Sequence, residues 1–331
     1  MLDVLYVCDE NYAPFAGVSV FSLLQQSRDL PTLRVLVLGL ELSDASRENL
    51  KSIAKAHARE LILLDGKPLA EELQALALPC YRGSQAANLR LLFERVLPQD
   101  TTRVLYLDCD TLVCGSVAEL ATLALGGKAV GAVRDSLTAR YKRLLGLDEA
   151  QNYYNSGVLL IDVARWREQA LSERVTDFLK GNRAPLLYPD QDLLNLALGD
   201  EIATLPIRYN FQPHHRVFSD KTYFAVYPQT NYYAAAELQA AREHPCILHV
   251  YRFIGEFPWH KGGLHPDTAL WDAALAKTPW SGGYQKRPAK RGLVLKVEKI
   301  LYRILPKCLF LRLFAKVTER GQKKHCRQQQ K

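Results

Sequence analysis

The chain has no Cys-x-x-Cys pair, no Gly-x-Gly-x-x-Gly after its first strand-like run and no Gly-x-x-x-x-Gly-Lys-Ser/Thr anywhere. Nor does it contain an uninterrupted apolar run of about 18 residues, the minimum for a membrane-spanning helix. Each absence excludes a class. The seven cysteines (8, 80, 109, 114, 246, 308 and 326) are odd in number and scattered, which argues against a disulfide framework or a structural zinc site and fits a reducing, cytosolic setting. Without the glycine fingerprints, Rossmann dinucleotide binding and P-loop chemistry are disfavoured, so a bound diphosphate would have to be held by metal and side chains. The first residues, Met1-Leu2-Asp3-Val4-Leu5-Tyr6-Val7-Cys8, lack a basic flank, and Asp3 interrupts them; they read as a first β-strand and not a signal peptide.

What is present is an ordinary globular composition: 331 residues, 48% hydrophobic and 24% charged. The net charge of +8 hides a division. Residues 286–331 hold 15 Lys/Arg against two Glu, whereas residues 1–285 hold 28 Lys/Arg against 33 Asp/Glu. A mildly acidic globule therefore carries a strongly basic tail. From Leu293, Lys296, Lys299, Arg303 and Lys307 recur at spacings of three and four, with Val297, Ile300, Leu301, Ile304 and Leu305 on the other side. Pro306 should interrupt this helix, and a second apolar-basic segment continues through Val317. The pattern suits an anionic membrane surface, and its apolar density exceeds what nucleic acid contact requires. Docking onto the globule is the competing use. The expected division is residues 1–280 for the globule and 281–331 for the tail, with the tail's removal releasing the protein from membranes and sparing its chemistry.

Short apolar runs alternate with helix-like segments through the first half. Val4–Cys8, Leu33–Leu38, Glu60–Leu64, Arg103–Leu107, Ala129–Val133 and Gly157–Asp162 read as strands; the segment after Ser43 (a plausible N-cap), Gln85–Leu97 and the one opened by Pro189 read as helix-like. This alternation predicts an α/β fold with a mostly parallel central sheet flanked by helices. Residues 206–265, rich in Pro, Tyr and His, read as long loops over the sheet's binding edge. Ligands in such sheets bind beyond the carboxyl ends of the strands. Polar clusters stand there: Asp9-Glu10-Asn11 after the first strand, and Asp108-Cys109-Asp110 after a later one. Side chains alternate along a strand, so Asp108 and Asp110 would project together and suit a divalent cation such as Mg²⁺ or Mn²⁺. A solvated turn is the other reading of these three residues alone.

Asp9-Glu10-Asn11-Tyr12, Asn88-Leu89-Arg90, Leu107-Asp108-Cys109-Asp110, Arg134-Asp135, Tyr154-Asn155-Ser156-Gly157, Asp190-Gln191-Asp192 and His249…Pro258-Trp259-His260 occur in an order that resembles the family 8 retaining glycosyltransferases, a group that includes bacterial lipopolysaccharide galactosyl- and glucosyltransferases and the glycogenins. The resemblance spans about residues 4–262. It implies the GT-A nucleotide-diphosphosugar fold, a UDP-hexose donor and a glycan or glycolipid acceptor such as the lipopolysaccharide core, met at the inner face of the cell membrane. By position, Asp9 and Asn11 match residues that contact uracil or ribose. Asp108 and Asp110 match the Asp-x-Asp motif, and His249 the third protein ligand to Mn²⁺, with Mg²⁺ as a substitute. Arg90, Asn155, Asp190 and Gln191 match residues around the donor sugar, with Asp135 nearby. The match at Gln191 is to the residue behind the anomeric carbon, where an amide is a poor nucleophile. This favours a front-face reaction over a covalent intermediate, with Asp190 and Asp135 the carboxylates that could substitute.

One segment departs from the family pattern. Family members commonly read His-x-x-Gly-x-x-Lys-Pro-Trp, with the Gly and Lys on the diphosphate. Here the run is His249-Val250-Tyr251-Arg252-Phe253-Ile254-Gly255-Glu256-Phe257-Pro258-Trp259-His260-Lys261, and Phe257 stands in place of the Lys. Gly255 matches the glycine; Lys261, ahead of Arg252, is the expected replacement for the lysine. Two alternatives remain at this level: a related transferase with a soluble or protein acceptor, and a catalytically silent sugar-nucleotide- or glycan-binding protein. His214, His215, His244 and Trp166 read as structural or exposed residues.

Overall fold

The structure is a computed structural model describing residues 2–76, 78, 85–136, 139–181, 186–290 and 292–329. Its first half alternates β1 (Leu2–Asp9), α1 (Ala13–Gln26), β2 (Leu33–Leu40), α2 (Asp44–Ala56), β3 (Glu60–Asp65) and α3 (Lys67–Ala75). Ser43 caps α2 by accepting the Ser46 N–H, as its position foretold. Then come β4 (Arg103–Leu107), β5 (Thr111–Val113), β6 (Val130–Arg134), α4 (Ala139–Leu144) and β7 (Tyr154–Asp162). After β7 follow α5 (Val163–Glu168), α6 (Leu171–Gly181), α7 (Pro189–Leu198) and β8 (Ile202–Thr204).

The main sheet has seven strands in the order β3-β2-β1-β4-β7-β6-β8. Its β3–β2, β2–β1, β1–β4 and β6–β8 pairs are parallel; β7 runs antiparallel to both β4 and β6. The period-two alternation of strands divides the core. Val4, Tyr6, Val35 and Val37 pack with α1 on one face, while Leu5, Val7, Leu36 and Leu38 pack with α7 on the other. Strands buried on both faces explain the near-continuous apolar runs. Trp166 is core: its Nε1–H donates to Ser172 Oγ.

Two segments differ from the sequence expectation. Residues 85–97 are not a regular α-helix but two 3₁₀ turns, Ala86–Leu91 and Phe93–Arg95. Here polar groups turn back on the local backbone: Arg90 Nε donates to the Ala87 carbonyl, and Asn88 Nδ2 to Gln85 Oε1. Such bonds compete with the helical ladder. Residues 206–265 are less loop-like than their composition suggests. They form α8 (Pro213–Val217), α9 (Asp220–Phe224), α10 (Ala235–Glu243) and β9 (Ile247–His249), held by an aromatic cluster that includes His215, Tyr223, Phe224 and Tyr232. Strand β9 pairs antiparallel with β5, placing His249 opposite Thr111.

The chain ends in α11 (Thr268–Leu275), α12 (Gly292–Ile304) and α13 (Lys307–Gln329). The break falls at Pro306 as expected, but α13 runs well beyond Val317. One face of this α12–α13 hairpin packs onto the globule. Phe310 and Leu311 are buried with Phe218, Tyr223, Phe253 and Ile254. No helix among the described residues is long and apolar enough to cross a membrane. Cys8, Cys109, Cys114, Cys246 and Cys308 are free thiols; Cys80 and the side chain of Cys326 lie outside what is described.

Candidate active site

A cavity of about 570 Å³ opens beyond the carboxyl ends of β1 and β4, where the topology places ligands. Asp9, Asn11, Arg90, Asp108, Asp110, Asp135, Asn155, Asp190, Gln191 and His249 all line it. Residues scattered over most of the chain thus converge on one space.

At its floor, Asp108, Asp110 and His249 each offer one ligand atom, all within 4.8 Å of one another. His249 Nε2 lies 3.2 Å from Asp110 Oδ1 and 3.6 Å from Asp108 Oδ2. The surrounding amides determine which ring nitrogen points there. Asn155 Nδ2 donates to Asp135 Oδ2 (3.0 Å), so its Oδ1 faces the other way and accepts Asn210 Nδ2 (2.8 Å). Asn210 Oδ1 is thereby turned to His249 Nδ1, 3.0 Å away, with Asn155 Oδ1 at 3.2 Å. Two oxygen acceptors at Nδ1 require a proton there, which presents Nε2 to the two carboxylates. A nitrogen lone pair and two carboxylates cannot crowd together without a positive charge between them. A proton on Nε2 or a divalent cation would supply it, and the mixed carboxylate–imidazole donor set suits Mn²⁺ or Mg²⁺. The backbone is shaped for this packing: a Cβ at Gly157 would stand 2.1 Å from His249 Cε1 and 2.9 Å from Asp108 Oδ2.

Electrostatics follow the same arrangement. Burial raises the Asp108 carboxyl above its ordinary range, with the Arg90 charge opposing and Asp110 reinforcing. Burial works against the Asp110 carboxylate too, but the His249 charge and hydrogen bond outweigh it and bring that carboxyl below the usual value. Burial disfavours the His249 imidazolium; Asp110 and Asp108 overcome this and raise it. Arg90 is buried despite its charge. Its Nη2 lies 2.7 Å from Asp108 Oδ1, its Nε 3.3 Å from Asp190 Oδ2, and its Nη1 donates to the Ser156 carbonyl. Its guanidinium also stacks over Tyr106, whose hydroxyl donates to Asp108 Oδ1. Arg90 therefore ties the floor of the cavity to the Asp190 side.

The amide of Gln191 is oriented from both ends. Its Oε1 accepts Ser156 N and Asn155 Nδ2, and its Nε2 donates to Asp135 Oδ2 and Tyr153 OH. Asp190 accepts the Ser156 hydroxyl at 2.9 Å. Burial raises the Asp135 carboxyl, against the hydrogen bonds from Asn155 and Gln191. Asp192, in the same helical turn, has a different environment: it is fully buried and accepts Tyr141 OH, Tyr153 OH and Tyr188 N. It anchors the start of α7.

At the opposite end, Asp9 Oδ1 accepts the Tyr12 N–H, holding the chain's entry into α1 beside Asn11. Glu10 turns outward and accepts from Ser43 and Ser46, fixing α2. The departing segment is placed differently from expectation. Lys261 is exposed and does not line the cavity, and neither does Gly255; Arg252 and Phe257 do, with the guanidinium 5.5 Å from the Phe257 ring centroid. Five residues separate His249 from Gly255 where the family pattern has two, and Arg252 among them reaches the wall, while the chain has already turned away before Lys261. Asn210 and Tyr106 escaped sequence reasoning, and Ser156 stood in the Tyr154–Gly157 motif with no role of its own. His214, read as structural or exposed, is half-buried, with its Nδ1 3.1 Å from Tyr251 OH.

Comparison with known proteins places these features in context. The profile of glycosyl transferase family 8 matches residues 3–263. A lipopolysaccharide 1,2-glucosyltransferase of Escherichia coli K12 is 27% identical over 84% of this chain and 79% of its own. A lipopolysaccharide 1,3-galactosyltransferase of Salmonella typhimurium is 26% identical over the same shares. Among solved structures, the galactosyltransferase LgtC in complex with donor and acceptor sugar analogues superposes with a TM-score of 0.69 at 22% identity. That match covers 85% of this chain and 99% of LgtC, and it shows a common GT-A-like fold.

Proposed function

The chain belongs to glycosyl transferase family 8, and from that premise we propose that it moves galactose or glucose from a UDP-sugar, with retention of anomeric configuration, to a lipopolysaccharide core or similar bacterial surface glycan. The observation that carries this reading is the convergence of Asp108, Asp110 and His249 on the cavity floor, between Asp9/Asn11 and Asp135/Asp190/Gln191. The named activities of the two lipopolysaccharide transferases support the acceptor class.

In this reading Asp9 and Asn11 hold the nucleoside. Asp108, Asp110 and His249 hold Mn²⁺ or Mg²⁺, which when bound supplies Lewis-acid stabilisation of charge on the departing diphosphate. Arg90 keeps Asp108 in register. Asp190, Asn155 and Gln191 orient the hexose through hydroxyl contacts, which is where discrimination between epimers is built. Arg252 takes the diphosphate role expected of Lys261, since a guanidinium on the wall offers a charge-assisted fork to phosphate oxygens. Asp190 and Asp135 are already committed to Arg90, Ser156, Asn155 and Gln191. Their engagement supports the front-face route, in which a phosphate oxygen of the leaving group helps deprotonate the acceptor hydroxyl.

The tail supports a peripheral, cytoplasmic-face location. Opposite its docked face, α12 exposes Leu293 (76%), Val294, Val297, Ile300 and Ile304, and α13 exposes Leu309, Leu313 and Val317. The exposed Lys296, Arg303, Lys307, Arg312 and Lys316 alternate with them. Apolar side chains for the acyl boundary and cations for anionic headgroups are the two requirements of an interfacial helix.

The test is a panel of UDP-sugars with Mn²⁺ and deacylated or intact core oligosaccharide, following UDP release and the anomeric configuration of the product. Retained α-linked hexose on the core supports the reading. Binding of UDP-sugar without turnover on any acceptor would refute it.

A further inference from the structure

The stretch from Phe253 to Glu256 is a tight turn closed by two backbone bonds, Phe253 N to the Glu256 carbonyl (2.8 Å) and Glu256 N to the Phe253 carbonyl (3.0 Å). Its two central residues lie in the left-handed region, Ile254 at φ 47° and Gly255 at φ 72°. Glycine adopts this freely; a β-branched residue does so only when its surroundings hold it. The C-terminal hairpin does the holding. Ile254 is buried in one apolar cluster with Phe310 and Leu311 of α13, and Phe253 packs edge-on against Tyr302 of α12. Glu256, 2% exposed, receives Lys299 of α12: Nζ lies 3.1 Å from Oε1 and also donates to the Gly262 carbonyl at 2.7 Å. The other carboxylate oxygen accepts Leu264 N. Tail and turn are therefore one packed unit. Arg252 and Phe257, both of which line the cavity, stand immediately on either side of the turn.

We infer that Lys299 is a positioning residue for the donor: through Glu256 and the strained Ile254–Gly255 turn, the tail holds Arg252 at the diphosphate. This rests on the reading of Arg252 given above, and it revises the expectation that the tail can be removed without consequence for the chemistry. A guanidinium must be placed closely to be useful to a phosphate, because a displacement of about an ångström is enough to forfeit much of an oriented contact. Lys299 touches neither donor nor acceptor. Its effect runs through the turn.

The full chain tests this, with UDP and Mn²⁺ titrated calorimetrically and uridine as the phosphate-free probe. Arg252→Met and Lys299→Met should each weaken UDP by about tenfold, leaving uridine unchanged. The double variant should bind UDP no more weakly than Arg252→Met alone, because residues acting in one chain of contacts are not additive. Lys299→Arg should restore the affinity, and Lys277→Met, which removes a surface charge elsewhere, should not lower it. If Lys299→Met does not fold, Lys299→Gln, which keeps a donor for the Gly262 carbonyl, is read in its place. An unchanged UDP affinity in Arg252→Met would overturn the reading of Arg252 and the inference with it. A loss in Arg252→Met without a loss in the Lys299 variant would overturn the inference alone, as would equal weakening of UDP and uridine.

Discussion

Asn210 Oδ1 lies 3.0 Å from His249 Nδ1, and this contact decides which face of the imidazole meets Asp108 and Asp110. The orientation is relayed from Asp135 through Asn155 and Asn210 to the ring. A carboxylate beside Gln191 thus sets the tautomer of a residue beside Asp108 and Asp110.

Replacing Asn210 should therefore act on metal binding without touching a metal. Asn210→Ala removes one of the two acceptors that fix the Nδ1 proton and should weaken Mn²⁺ by about ten- to a hundredfold, the usual cost of losing such an outer partner. Paramagnetic titration of Mn²⁺ into the metal-free protein measures this. Wild-type affinity in the variant would remove Asn210 from the account.

Gly157→Ala tests the same centre sterically. The added methyl meets His249 Cε1 and Asp108 Oδ2, so those two side chains must move. Circular dichroism should report an intact fold, and Mn²⁺ affinity should fall by at least about tenfold.

Asp192 makes a pH prediction. Burial pushes its carboxyl up to about 6. A folded-state value above the unfolded one means that the native state binds the extra proton. The group's contribution to stability is therefore fully present below about pH 4 and is lost as pH rises through about 6. Against Asp192→Asn, the wild type should lose about 2 kcal/mol of relative stability between pH 4.5 and 7.5, read from urea denaturation. A pH-independent difference would contradict the assignment.

The tail's exposed face predicts association with anionic vesicles that weakens with salt, each Lys or Arg near the surface contributing about 1 kcal/mol. Ile300→Asn with Ile304→Asn should release the protein in a flotation assay. Removing residues 286–331 should release it as well and, because Lys299 goes with them, should also loosen the UDP complex.

The features legible in the sequence share one property: each is carried by a local pattern. The strands of the sheet alternate in period two, and Asp9 and the Asp108–Asp110 pair sit where apolar runs stop. His249 was placed by resemblance, because the pairing that delivers it joins two three-residue strands, β5 and β9, too short for any periodic signal. Asn210 has no local signature at all; its role exists only once Asn155 and His249 are in space. Lys261 lies off the cavity for a related reason. Counting residues along the chain presumes extended backbone, and the left-handed turn at Ile254–Gly255 reverses direction between Arg252 and Lys261. The same turn hides the Lys299–Glu256 pair: in sequence Lys299 is one of many basic residues on a helix, and only packing distinguishes it.

The central claim is that a divalent cation at Asp108, Asp110 and His249 is required for UDP-hexose cleavage. Its most direct measurement is UDP release from UDP-galactose and UDP-glucose by metal-stripped protein titrated with Mn²⁺, for the wild type and Asp110→Asn. The account predicts no release without metal, saturable activation in the wild type, and a loss of at least about a hundredfold in the variant at any Mn²⁺ concentration. Equal turnover by the two proteins, or full activity in the stripped wild type, would contradict it.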